Sequence, residues 1–98
     1  MVNAEVFRRL AQGDKPVLLD FYADWCGPCR MLAPVIEEIA HEHPEIEVGK
    51  VNVDQENELA MRFGITSIPF VALLREGEVV ASSLGYRSKQ DLLAALGL

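Results

Sequence analysis

Two cysteines, Cys26 and Cys29, stand three positions apart, with Gly27 and Pro28 between them and Trp25 directly ahead. A pair at this spacing can close a small disulfide ring. At a strand-to-helix junction it would also meet unpaired backbone donors and the partial positive charge of a helix N-terminus, and both stabilise thiolate. Cys26, at the mouth of the helix, is therefore expected to be the exposed nucleophile with a lowered pKa. Cys29, one turn inside, is expected to be the buried resolving thiol. Gly27 and Pro28 bring the chain tightly into the first turn, where proline costs no intrahelical donor. The bland alternatives for the pair are a structural disulfide or half of a zinc site. His41 and His43 superficially complete a Cys2His2 set, but one intervening residue is shorter than finger spacing and puts the two rings on different helix faces. They read as solvated residues at the negative end of the helix, and no metal site is assigned.

The elements that must hold this pair follow from the apolar periodicity. Asn3 is a plausible cap for a short helix with Val6, Phe7, Leu10 and Ala11 on one face, stopped at Gly13-Asp14. Pro16 to Ala23 is nearly continuous in apolar residues, as expected of a central strand covered on both faces, with Asp20 as its anomaly. From Pro28 to about His43, Leu32, Val35, Ile36, Ile39 and Ala40 mark an amphipathic helix, in which Pro34 removes a donor and is expected to introduce a kink. Ile46 to Val53 reads as a second strand interrupted at Gly49-Lys50. A short helix capped near Asp54 or Gln55 carries Leu59, Ala60 and Phe63 and ends at Gly64. Phe70 to Leu74 and Val79 to Ser83 flank Glu76-Gly77 as an antiparallel hairpin, and Ser88 with Asp91 opens a last helix that ends at Gly97. The order is helix, strand, helix, strand, helix, strand, strand, helix: an α/β chain whose first two strands are parallel.

Composition narrows the function classes. The 98 residues fit a single domain, 50% of them apolar and 24% charged. Fifteen acidic against nine basic residues leave a formal charge of −6, which disfavours nucleic acid and anionic membrane. Two cysteines are too few for a secreted disulfide scaffold, and neither a signal peptide nor a membrane span is legible, so the cytoplasm is the expected location.

The run Asp20-Phe21-Tyr22-Ala23-Asp24-Trp25-Cys26-Gly27-Pro28-Cys29-Arg30-Met31 resembles the active-site segment of the thioredoxin family. Ala33-Pro34, Lys50-Val51-Asn52-Val53-Asp54, Gly64-Ile65-Thr66-Ser67-Ile68-Pro69, Gly77 and Gly85 follow in the family's order and spacing, so the resemblance spans Val17 to Leu96. It implies a thioredoxin fold over residues 1–98 as one domain, with a mixed central sheet flanked by four helices. Only Met1-Val2 precede the first helix, so the N-terminal edge strand usual in the family is expected to be absent or vestigial, leaving about four strands.

The resemblance also implies roles. Cys26 and Cys29 would cycle between dithiol and disulfide with no further cofactor. Asp20, raised in pKa by burial, would take the proton from Cys29, and Lys50 would tune it in the opposite direction. Pro69 matches the family's cis-proline, leaving the Ile68 backbone free to pair with an extended substrate segment and keeping metals off the dithiol. Trp25, Gly27, Pro28, Ile65, Ile68 and Gly85 would form an apolar rim for disulfide-containing target proteins, with a thioredoxin reductase as electron donor and the chain a monomer. The implied activity is general protein disulfide reduction. A disulfide oxidase or isomerase is the enzymatic alternative, and a thioredoxin-fold binding subunit using the rim without redox turnover is the non-enzymatic one. Two positions depart from the family's common pattern. Phe70 follows the proline where threonine is usual, and Tyr22 stands where a second tryptophan is frequent.

Overall fold

The computed structural model describes residues 1–98. Its elements are α1 (Ala4–Ala11), β1 (Val17–Tyr22), α2 (Gly27–Glu42), β2 (Glu47–Asn52), α3 (Asn57–Arg62), β3 (Phe70–Arg75), β4 (Glu78–Leu84) and α4 (Lys89–Leu96), in the order expected from periodicity. The strands make one mixed sheet, β2-β1-β3-β4. β1 runs parallel to β2 and antiparallel to β3, and β3 pairs antiparallel with β4. Glu76 and Gly77 both have positive φ, 53° and 81°, as a tight two-residue hairpin turn of the primed kind requires.

β1 has neighbours on both edges and helices on both faces, which is why its sequence does not alternate. Val17, Leu19 and Phe21 point into one core with Phe7 of α1, Leu59 of α3 and Leu74 of β3. Leu18 points into the other, with Leu32, Ile36 and Ile39 of α2 and Leu92 and Leu96 of α4. Side chains two apart on a strand share a face, so Asp20 and Tyr22 follow Leu18 toward α2. Phe70, the departure after Pro69, edges against Phe21, which also meets Phe63; Phe63 in turn contacts Phe7. The unusual residue thus joins an aromatic cluster beneath α3.

Local capping agrees with the sequence at two of the three helices for which a cap is expected, α1 and α4. Asn3 Oδ1 accepts from the Val6 amide at 2.9 Å, Cys26 caps α2, and Ser88 Oγ accepts from the Asp91 amide at 3.2 Å. The helix α2 runs from Gly27 to Glu42 through Pro34, with Ala40 exposed rather than on the buried face. The expected cap of α3 at Asp54 or Gln55 is corrected: the cap position is Glu56, which makes no side-chain cap bond. The amides of Asp54 and Gln55 are instead held by Asn52 Oδ1 at 2.9 and 3.2 Å, a side-chain turn that delays the helix. His43 also differs from its reading as a solvated residue. It is partly buried and bonds Glu45 at 2.7 Å, a nearer negative partner than the helix end. No helix is long and apolar enough to cross a membrane.

The interruption at Gly49-Lys50 has a packing cause. Val2 is buried, and its amide donates to the Lys50 carbonyl at 2.8 Å, so one backbone bond stands on the outer edge of β2 as the vestige expected there. The Val2 side chain lies where a side chain at position 49 would project, and a Cβ on Gly49 would collide with Val2 Cγ2. The missing apolar residue of β2 is therefore supplied by Val2. Gly49→Ala is expected to destabilise the protein by about 1–3 kcal/mol, because stiff, β-branched Val2 cannot swing aside. In the Gly49→Ala background, Val2→Ala should cost less than it does in the wild type. A double-mutant cycle by urea unfolding checks this, and additive costs would show that the two residues do not share the space.

Candidate active site

β1 ends at Tyr22 and the chain turns through Ala23-Asp24-Trp25 into α2, which places Cys26 at the N-cap, with Gly27 and Pro28 as the first helical residues. Cys26 and Cys29 are joined as a disulfide. Cys26 Sγ accepts from the Cys29 amide at 3.2 Å, so the sulfur already occupies the capping site where a thiolate gains from unpaired donors. The first turn of α2 carries no acidic residue to oppose that charge.

The expectation of an exposed Cys26 is corrected: in the disulfide form Cys26 is 5% exposed and Cys29 3%. Both cysteines cluster with Ala23, and Tyr22, Val53 and Ile68 pack around them. Position, and not exposure, distinguishes the two cysteines. Cys26 stands outside the helix beside Trp25, whereas Cys29 lines a cavity of about 260 Å³ shared with Tyr22, Arg30, Ala33 and Lys50.

A second depression, of about 160 Å³, runs past the other side and is lined by Trp25, Val53, Ile65, Thr66, Ser67 and Ile68. It gathers three of the predicted rim residues. Trp25 is 69% exposed, and its indole N–H donates to Asp54 Oδ2 at 2.9 Å, which fixes an otherwise free ring. The Ile68-Pro69 bond is cis, as expected. Neither the N–H nor the C=O of Ile68 has a backbone partner, and the Pro69 carbonyl accepts from the Gly85 amide at 2.8 Å. Gly85 is thus tied to Pro69 and does not line the depression. A Cβ on Gly27 would meet nothing within 4 Å, so the chain's own packing does not demand glycine there.

Asp20 is 1% exposed, and both its carboxylate oxygens lack any hydrogen-bond partner. Its register neighbours are Lys50 on β2 and Val71 on β3. Burial in these surroundings pushes its pKa from the ordinary 3.8 up to about 6, and the Lys50 charge pulls in the opposite sense without a direct ion pair.

Three contacts escaped the reading of the sequence. Trp25 to Asp54 spans 29 positions and has no local signature. Arg30 Nη1 reaches back to the Asp24 carbonyl at 2.8 Å and staples the turn before the disulfide. Asn52, which holds the loop carrying Asp54, was legible in principle, since asparagine commonly bonds amides two residues on.

A thioredoxin family model matches residues 1–97. Similar proteins include a thioredoxin of Alicyclobacillus acidocaldarius, 50% identical over 91 residues that cover 92% of this chain and 87% of that protein. A thioredoxin of Pseudomonas aeruginosa is 36% identical over 97 residues, covering 98% of this chain and 90% of that protein. A bifunctional thioredoxin reductase/thioredoxin of Mycobacterium leprae is 42% identical over 97 residues, 98% of this chain and 21% of the larger protein.

The raised pKa of Asp20 has a consequence for stability. As pH rises, the unfolded chain releases this proton near 3.8 and the native state only near 6, so the native state binds more protons in between. Stability attributable to Asp20 therefore falls across that window, by about 3 kcal/mol in all, and stays low above it. Asp20→Asn is expected to be more stable than the wild type by about 2 kcal/mol at pH 7.5, its own buried amide offsetting part of the gain. The advantage should vanish below about pH 4. Urea unfolding at both pH values checks this, and an equal difference at both would exclude Asp20 as the titrating group.

Proposed function

The chain belongs to the thioredoxin family and is a protein thiol-disulfide oxidoreductase, and from that premise we propose how its residues divide the work. The reduced protein attacks a target disulfide with the Cys26 thiolate, forming a Cys26–target mixed disulfide and releasing one target thiolate. The Cys29 thiol then gives its proton to Asp20, and the resulting thiolate attacks Cys26 Sγ. That step breaks the mixed disulfide, expels the second target thiolate and closes the Cys26–Cys29 bond. Two electrons pass from the dithiol to the target, and both released thiolates take up protons. The observation that carries this reading is the Cys26–Cys29 disulfide at the α2 N-terminus, with a buried, unpartnered carboxyl, Asp20, two residues before the end of β1, the strand that leads into it. With a pKa of about 6, Asp20 is mostly ionised at pH 7 and available as a proton acceptor close to the working pH.

The depression beside Trp25 suits an extended segment of a target. The free N–H and C=O of Ile68 offer two backbone hydrogen bonds in the manner of strand addition, and the open space over Gly27 lets the target backbone approach Cys26. In this reading Pro69 and Gly85 hold the Ile68 segment in place, Pro28 helps shape the rim, and Lys50 tunes Asp20. Residues 1–98 act as one domain and as a monomer, in the cytoplasm, with no cofactor beyond the dithiol and no nucleic-acid or membrane partner. A thioredoxin reductase supplies the electrons; a relative that joins both activities in one chain supports that pairing.

Dithiothreitol-driven reduction of insulin should accelerate in the presence of the wild-type protein and not of Cys26→Ser. Cys29→Ser should accumulate a mixed disulfide with the target through Cys26. Asp20→Asn should slow resolution of that intermediate by about 10- to 100-fold while leaving its formation within a few-fold of wild type. No acceleration by the wild type would refute the reducing activity, and equal slowing of both steps would refute the proton-acceptor role. Retention of a biological activity by Cys26→Ser would point to a binding role of the rim.

A further inference from the structure

Lys50 lies beside Asp20 as its register partner and its charge favours the carboxylate, yet its ammonium makes no ion pair and no hydrogen bond. Its seat is the ring of Tyr22, with Nζ 4.8 Å from the ring centroid, inside the range where a cation is attracted to an aromatic face. Asp20 and Tyr22 are two apart on β1 and share its α2-facing side, and Lys50 is the register partner of Asp20 on β2. Tyr22 and Lys50 both line the cavity that reaches Cys29. The ring itself is held from two directions: it packs on the Ala23, Cys26 and Cys29 cluster, and its hydroxyl donates to Met1 Sδ at 3.0 Å.

We infer that Tyr22 is a positioning residue of this oxidoreductase, its ring seating the Lys50 ammonium in the cavity beside Cys29 and next to Asp20. The inference deepens the role proposed for Asp20 and rests on that reading only for its effect on rate. An ammonium is strongly hydrated, and a lysine at a half-buried position that loses its only seat returns its charge to water. Without the ring, Asp20 would lose the nearby positive charge and hold its proton to higher pH.

The other groups around Asp20 do not substitute for this pair. Past the end of β1, Asp24 lines the mouth of the same cavity, but it is exposed, makes no ion pair with Lys50, and as a carboxylate cannot supply the positive charge. From α2, Cys29 is tied in the disulfide and Arg30 is committed to the Asp24 carbonyl. From α4, Lys89 is engaged by Glu42 and Glu38, and Asp91 is exposed. β3 contributes apolar Val71 as the other register neighbour.

The test is a titration of the Asp20 carboxyl carbon by NMR in the oxidised full chain. Tyr22→Leu should raise the midpoint by at least about half a unit, and Lys50→Met should raise it as far. The double variant should go no higher than Lys50→Met alone, and Tyr22→Phe, which keeps the ring and loses only the hydroxyl with its bonds to Met1 and Asn52, should keep the wild-type midpoint. A signature that needs no substitution is the upfield ring-current shift of the Lys50 ε-methylene protons in the wild type. A wild-type midpoint in Tyr22→Leu, a Tyr22→Leu shift that persists undiminished on Lys50→Met, or unshifted ε-protons would overturn the inference. The pH profile of mixed-disulfide resolution separates it from the proton-acceptor role. If the carboxyl midpoint moves and the rate profile does not, Tyr22 positions Lys50 as inferred and Asp20 is not the acceptor.

Discussion

A central strand covered on both faces must send its side chains alternately into two different interiors, and β1 does this over only six residues. Val17, Leu19 and Phe21 complete the core under α1 and α3, while Leu18 completes the one under α2 and α4. The same alternation delivers Asp20 and Tyr22 to the α2 side, beneath the helix whose N-terminus carries both cysteines, Cys26 as its cap and Cys29 in its first turn. Fold and chemistry therefore share one constraint. A one-residue slip of β1 would exchange the two faces, burying Asp20 among Phe7 and Leu59 and stripping the dithiol of its carboxyl.

Burial sets the character of the site more than charge does. Asp20 has no hydrogen-bond partner, and the Lys50 charge only partly offsets its loss of water. That arrangement costs folding stability at neutral pH and yields a carboxyl that titrates near the working range. Maximal stability would call for a leucine or a direct ion pair at this place; the proton-acceptor role proposed for Asp20 calls for neither. The Cys26 sulfur, by contrast, sits in the favourable electrostatics of a helix cap. Two groups a few residues apart thus sit under opposite physical effects, desolvation for one and capping donors for the other.

Several details that look like defects in the sequence are compensated elsewhere in the chain. Gly49 leaves β2 short of an apolar side chain, and Val2 fills the gap from outside the sheet. Phe70, which departs from the threonine that the family resemblance implies there, is absorbed by Phe21, which Phe63 also contacts. The late start of α3 is compensated by Asn52, whose side chain takes the two amides that the helix does not. In each case the partner is distant in sequence or outside the expected element, so a local reading registers only the irregularity.

The antiparallel pairing of β1 with β3 came from the structure. From the sequence alone come the eight elements and their order, the parallel pairing of the first two strands and the antiparallel hairpin of the last two, the dithiol at a helix mouth and the buried carboxyl six residues ahead of it. These follow from periodicities of two and 3.6, from capping residues and from glycine at turns, all properties of short stretches of chain. The family resemblance supplied the cis bond before Pro69 and the pairing of Asp20 with Lys50. Only the tertiary structure decided that Cys26 is buried in the disulfide form, that Asp54 pins Trp25, that Val2 stands in for a side chain on Gly49, and that Lys50 rests on Tyr22 instead of on a carboxylate. Each of these depends on where segments roughly 20 to 50 positions apart come to lie against one another, and on the competition among water, a ring and a carboxylate for one charge, which spacing along the chain does not encode.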